Sequence, residues 1–314
     1  MYPLLLESAM HTRIWGGRKL HDVLGKPQPT NEPYGESWEL HDTSVIVNGT
    51  LAGRTVGDVL KDMGHDLVGM HNDPAEGFPL LAKFLDAAQW LSIQVHPNDA
   101  QAAELEGEPR GKTEAWIILD AEPGAKLIIG VQPGTDREAM AEAIRENRLE
   151  ALMVEAEVKA GDVLYIPAGT VHALGPGLLI YEIQQSSDLT YRLYDFGRIG
   201  LDGRPRQLHI EKGVQVSNVG ALPPITHPGD DSDAAVTMVE GEYFKTVLHR
   251  VSAPVTLSTE GRTFHALTCI QGAVEVAAGD EQITLEKGRT ALIPAVVGAY
   301  ALRGSGEVLR SWQG

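Results

Sequence analysis

Read for the alternation of apolar and polar positions, the chain divides into many short runs of period two and a few of helical period. Residues 90–95 (WLSIQV) predict a strand with Leu91, Ile93 and Val95 on one face and Ser92, Gln94 and His96 on the other. Residues 115–119, 163–166 and 178–183 predict further strands. Residues 273–276 and 283–285 flank a tight turn at 278–281 and predict a hairpin. Helical spacing is confined to 55–70, 99–105 and 136–154, the last with Thr135 or Asp136 as its N-cap. The expectation is a mainly β protein with a few short helices.

The strand at 90–95 raises a chemical question. In a buried strand each unpaired polar group costs about 1–3 kcal/mol, so a hydroxyl, an amide and an imidazole in a row need a common partner. A metal ion is one candidate. Composition narrows the setting. At 314 residues with 43% hydrophobic content the chain can bury a large core, and the size prior is about two domains. No apolar run reaches the roughly 18 residues of a membrane helix, and the start (MYPLLLESAMHTR) lacks the basic region and apolar length of a signal peptide. The expected location is cytoplasmic. Cys269 lies in an apolar run and reads as a buried structural thiol. A net charge of −17 repels nucleic acid and anionic membranes, so an anionic substrate has to be met by a few locally gathered Lys or Arg.

A polar, Pro-rich, acidic stretch at 223–234 suggests a linker, placed at 225–235, between residues 1–224 and 236–314. The two parts also share a pattern. AGDVLYIPAGTVHAL at 160–174 aligns without gaps on the segment around Gly288, with Ile166-Pro167-Ala168 opposite Ile293-Pro294-Ala295. Two copies of one β domain is the economical reading. His172 falls opposite Ala299, so the first copy is read as chemical, with helical insertions, and the second as structural and without metal ligands.

Residues 161–172 have the form Gly, five residues, Pro, one residue, Gly, two residues, His. That spacing resembles the second motif of the cupin superfamily, whose domains are jelly-roll β-barrels. Gly161-Asp162 turns the chain into a strand, and Pro167 and Gly169 bend it so that His172 points inward. The first cupin motif pairs His-x-His with a later Glu. Here Gln94-Val95-His96 stands for the histidine pair, and Glu114 leads into the next strand, which favours it over Glu104, Glu106 and Glu108 in a polar loop. Two imidazoles, a carboxylate and an amide oxygen make a borderline N/O site that suits Zn²⁺ best, with Fe²⁺, Mn²⁺ and Co²⁺ left open.

The motifs together resemble type I mannose-6-phosphate isomerase in its short bacterial form, nearly end to end. The residues that carry the resemblance are IWGG at 14–17, GESWE at 35–39, PLLAKFLD at 79–86, LSIQVHPN at 91–98, GKTE at 111–114, the Pro-x-Gly-x-x-His run, YEI at 181–183 and YRLYD at 191–195. The resemblance implies two cupin-type jelly-roll domains and one Zn²⁺ per chain held by Gln94, His96, Glu114 and His172. It also implies an active site containing Ser92, Lys112, Glu182 and Arg192, and a phosphosugar substrate. The large helical domain of longer members has no room here.

The chemistry agrees with that implication. Exchanging an aldose and a ketose phosphate moves a proton between C1 and C2 through a cis-enediol, which needs a base, a stabilised enediolate oxygen and a phosphate anchor. Lys112 and Arg192 supply local positive charge, and Glu182 is the candidate base unless it forms a structural ion pair with Arg192. Trp15, Trp38 and Trp90 read as core packing rather than sugar platforms. The alternatives are a non-catalytic sugar-phosphate-binding cupin and a metal-dependent dioxygenase. A monomer or small homo-oligomer is expected.

Overall fold

In the computed structural model, which describes residues 1–314 except 221 and 230–232, antiparallel sheets build two barrels side by side. Residues 230–232 of the expected linker therefore lie outside the described residues. The main sheet of the first barrel has seven strands, in the order Ile225–Thr226, Val163–Ile166, Glu114–Ala121, Leu178–Gln185, Leu80–Ala87, Tyr34–Leu40 and Ala9–Gly17. Two smaller sheets complete the barrel. One joins Ala173–Leu174, Lys126–Val131 and Met153–Glu157; the other pairs Tyr191–Tyr194 with Ile93–Val95. A bridge between Gln94 and His172 links them.

The second barrel is an eight-stranded sheet dominated by two long strands, His265–Ala278 and Ala299–Trp312. The N-terminal strand Leu4–Leu6 crosses over to it and pairs with Thr290–Ile293. The internal sequence match has a structural counterpart: Val163–Ile166 and Thr290–Ile293 are equivalent four-residue strands, each ending at the aligned Pro-Ala.

The main sheet of the first barrel is buried on both faces, which explains why Leu80–Ala87 and Leu178–Gln185 are buried at every position. Phe84, Tyr181 and Ile183 on the outward face pack against Phe244, Phe264, Leu292 and Leu309 of the second barrel. Alternate residues of the same strands point into the first barrel, where Leu85, Ile118, Leu164 and Ile180 form its floor. A buried polar seam lies between the barrels: Lys26 Nζ is 2.6 Å from Glu39 Oε1, and Glu39 Oε2 accepts from Thr290 Oγ1 at 3.3 Å.

The helix expected over 99–105 is present as Asp99–Glu106, but the other two helical segments are shorter than their apolar spacing suggested. The run at 55–70 breaks at Gly64, whose φ of 50° ends Val56–Met63 before a second short helix, His65–Val68. Asp136 does cap a helix, but it spans only Arg137–Arg145. Asn147 then adopts a positive φ of 56°, and Met153 and Val154 belong to the strand Met153–Glu157, which pairs with Lys126–Val131. The strand expected over 90–95 is regular only at Ile93–Val95.

Candidate active site

Three elements converge on one buried cluster. Strand Ile93–Val95 presents Gln94 and leads into His96, strand Glu114–Ala121 begins with Glu114, and the Pro-x-Gly bend delivers His172. His96, Glu114 and His172 offer ligand atoms within 4.8 Å of one another, and among the described residues this is the one such cluster. His96 Nε2 lies 3.4 Å from Glu114 Oε2, and His172 Nε2 lies 3.3 Å from Glu114 Oε1.

The histidines are oriented from behind. His96 Nδ1 donates to Leu189 O at 2.7 Å and His172 Nδ1 to Thr170 O at 2.8 Å. With Nδ1 carrying the proton, each Nε2 turns a lone pair toward Glu114. Burial, then the nearby Lys112 ammonium, push His96 down to about 3, and burial lowers His172 as well. Both imidazoles are therefore neutral near pH 7, as metal ligands must be. Glu114 Oε1 is buried with no hydrogen-bond donor. Burial alone would raise the Glu114 pKa, but the Lys112 ammonium beside it holds it well below the usual carboxylate range. Two imidazole lone pairs and a carboxylate whose Oε1 has no donor fit a divalent cation with a position left for substrate.

Lys112 stands at the edge of this cluster, with Nζ 2.6 Å from Glu114 Oε2 and 3.1 Å from His96 Nε2. Burial favours its neutral amine; Glu114 and then Glu182 outweigh that and raise its pKa. Gln94 lies against His172, Nε2 to Nε2 at 3.3 Å, while its Oε1 accepts from Ser92 Oγ at 3.4 Å. A ligating amide would present the oxygen, which requires a half-turn of the carboxamide. Ser92 Oγ also accepts from Arg192 Nε at 3.3 Å, and Arg192 is the cross-strand partner of Gln94.

These groups open into a cavity of about 600 Å³ lined by Ser92, Gln94, Lys112, Glu182 and Arg192. Glu182 does not pair with Arg192. Trp116 Nε1 donates to Glu182 Oε2 at 2.9 Å, Lys83 Nζ lies 3.2 Å from Oε1, and the Trp116 ring meets His172 edge-on. Arg192 instead donates to Gln207 O, and Arg206 and His209 stand in the same wall.

Sequence reasoning missed much of this wall. Trp116, Glu182, Lys83 and Trp38 occupy directly opposed positions on four adjacent strands and form one row across the sheet. Glu36 accepts a bidentate pair from Arg13 and a bond from Trp38 Nε1. Burial opposes its ionisation, yet Lys83 and Arg13 bring it down to about 2. Trp15 and Trp38, read as core packing, both line the cavity; Trp90 packs on Phe196. One signal was present: Lys83 is a charge inside the largely apolar strand Leu80–Ala87, whereas Arg13 and Glu36 sit among other polar residues.

Comparison with known proteins adds to this geometry. Residues 4–114 match the family described as phosphomannose isomerase type I, catalytic domain, and residues 234–313 match the mannose-6-phosphate isomerase cupin domain. The chain is 36% identical over 315 residues to a mannose-6-phosphate isomerase of Streptococcus mutans, covering 98% of each chain. It is 34% identical over 316 residues to mannose-6-phosphate isomerase ManA of Bacillus subtilis, again covering 98% of each. A crystal structure of the mannose 6-phosphate isomerase from Bacillus subtilis superposes with a TM-score of 0.91 at 31% identity, over 99% of both chains.

Proposed function

This chain belongs to the type I phosphomannose isomerase family, and from that premise we propose that it interconverts D-mannose 6-phosphate and D-fructose 6-phosphate as a metal-dependent aldose–ketose isomerase. The observation that carries the reading is the His96–Glu114–His172 cluster in contact with Lys112 and Gln94, which together with Arg192 line one cavity large enough for a hexose phosphate. One Zn²⁺ per chain is the proposed cofactor, held by His96, Glu114, His172 and the amide oxygen of Gln94; when bound, it supplies Lewis-acid polarisation of the sugar oxygens.

The chain's own residues do the rest. Arg192 takes the phosphate as a guanidinium fork, with Arg206 and His209 adding positive charge beside it. Glu182 removes the C2 proton of the open-chain aldose and returns it to C1, while the O2 proton passes to O1 through the enediol, so atoms and charge balance. Lys112 holds its ammonium where negative charge develops on the enediolate oxygens. Ser92 ties the amide of Gln94 to Arg192 and so spaces the two ends of the substrate site. In this reading residues 1–224 form the catalytic unit and 236–314 a barrel without a metal. Among the described residues no helix is long and apolar enough to cross a membrane, and a cytoplasmic monomer or small homo-oligomer is the proposed form.

The test is a coupled assay for fructose 6-phosphate formed from mannose 6-phosphate by the full-length protein. Turnover supports the reading. Folded, zinc-loaded protein that binds the sugar phosphate without converting it would replace the isomerase with a binding protein.

A further inference from the structure

A lysine four rotatable bonds from its backbone is a poor fixed charge unless something holds its root. Lys112 is only 4% exposed, and its ammonium sits within hydrogen-bond reach of two residues of the metal cluster. Three successive backbone amides at its root all donate to neighbouring groups. Gly111 N donates to Asp99 Oδ1 at 2.8 Å, Lys112 N to Pro97 O at 2.9 Å, and Thr113 N to Gln185 Oε1 at 2.9 Å. Gln185 closes the arrangement, because its Nε2 donates to the same Asp99 Oδ1 at 2.9 Å. The peptide at Gly111 is pressed so closely on the next turn that a Cβ there would meet Asn98 C at 2.3 Å.

Neither Asp99 nor Gln185 lines the catalytic cavity. Asp99 nevertheless holds the Arg110–Gly111 peptide one residue before Lys112, Gln185 holds the Lys112–Thr113 peptide directly after it, and the two hold each other. The two come from different elements: Asp99 opens the helix that follows His96, and Gln185 ends the strand that carries Glu182.

We propose that the Asp99–Gln185 pair is a positioning device for Lys112, setting the reach of its ammonium toward Glu114 and the substrate oxygens. The proposal rests on the reading of Lys112 given above. A displacement of about 1 Å at a catalytic group can cost about a hundredfold in rate. The device therefore acts on kcat and leaves substrate anchoring by Arg192 alone.

The experiment compares Gln185→Met, Asp99→Asn, Lys112→Met and the double variant Lys112→Met/Gln185→Met in the zinc-loaded full chain. Metal content and thermal midpoint are measured beside kcat and KM. Gln185→Met removes both bonds and is expected to lower kcat roughly ten- to hundredfold, with KM and zinc per chain unchanged. Asp99→Asn keeps an acceptor oxygen and is expected to retain most of the activity. The deciding comparison is the double variant: if Gln185 acts through Lys112, its loss adds nothing once Lys112 is gone. A full further loss in the double variant, or a kcat that falls only in step with zinc content, would overturn the proposal. Should Lys112→Met itself leave kcat intact, the reading of Lys112 fails and this inference fails with it. Should Lys112→Met lose activity while Gln185→Met does not, only this inference fails.

Discussion

The two barrels share a strand that runs into the same Pro-Ala pair, yet their interiors hold different chemistry. In the first, the chain continues to His172, and a second imidazole and a carboxylate face it. In the second, the aligned position is Ala299, and the interior imidazoles come from other strands, His249 and His265. His265 Nδ1 meets the Tyr300 hydroxyl at 2.8 Å, and the Arg310 guanidinium stacks on Trp312 nearby. Burial and then Arg310 push His249 down to about 4 and His265 to about 3. Buried neutral imidazoles are thus common to both barrels. What the second lacks, among its described residues, is a carboxylate gathered with them: the cluster of three ligand groups occurs only in the first. Function here follows the side chains set on the fold and not the fold itself.

That comparison breaks most severely at Glu114. Glu114→Gln is expected to abolish zinc binding and turnover, a loss beyond the roughly 10- to 100-fold that altering an outer partner of a ligand costs; metal analysis and the coupled assay read it. His265→Ala, by contrast, should leave zinc content unchanged. Next in size is the proposed phosphate anchor, Arg192. Arg192→Lys keeps the charge but loses the fork, and kcat/KM for the phosphosugar should fall roughly tenfold, chiefly through KM, in steady-state kinetics.

Acid sharpens the difference between the barrels. The folded-state pKa of His265 lies below its unfolded value of about 6.5. Its contribution to stability is therefore complete above that pH and is lost as pH falls toward about 3. The loss is on the order of 1.4 kcal/mol per pH unit for this group. His265→Gln should flatten the decline in denaturant midpoint between pH 6.5 and pH 3, and an unchanged slope would count against the neutral, buried imidazole. The smallest effect is expected on the outer surface of the second barrel. Arg303→Ala breaks an exposed ion pair with Glu275 and should change stability by less than about 0.5 kcal/mol in the same melts.

These residues also mark what a sequence can carry. His96, Glu114 and His172, which the structure gathers, sit in or beside short motifs whose spacing encodes a turn or a strand face, and Gln94 was placed with them only by sharing the strand face of His96. Lys112 and Arg192 were implied by the family resemblance; the acidic composition asks for a few local cations without saying which. Lys83, Glu36, Arg13 and Trp38 were not assigned, because they join the cavity through cross-strand register, a relation between segments that no local spacing states. The alternative weighed for Glu182, an ion pair with Arg192, fails for the same reason: Lys83 lies opposite Glu182 on the next strand, while Arg192 belongs to a different sheet. The helices were overextended where apolar spacing continued past a backbone stop, at Gly64 and at Asn147. Two-sided burial of the main sheet also hid its alternation, since both faces are packed.

The most direct test of the central claim is chelation and reconstitution of the full chain, with mannose 6-phosphate turnover and bound zinc measured together. The account predicts that turnover disappears on chelation and returns in proportion to zinc, reaching its full value at one ion per chain. Turnover that survives complete removal of the metal would contradict it.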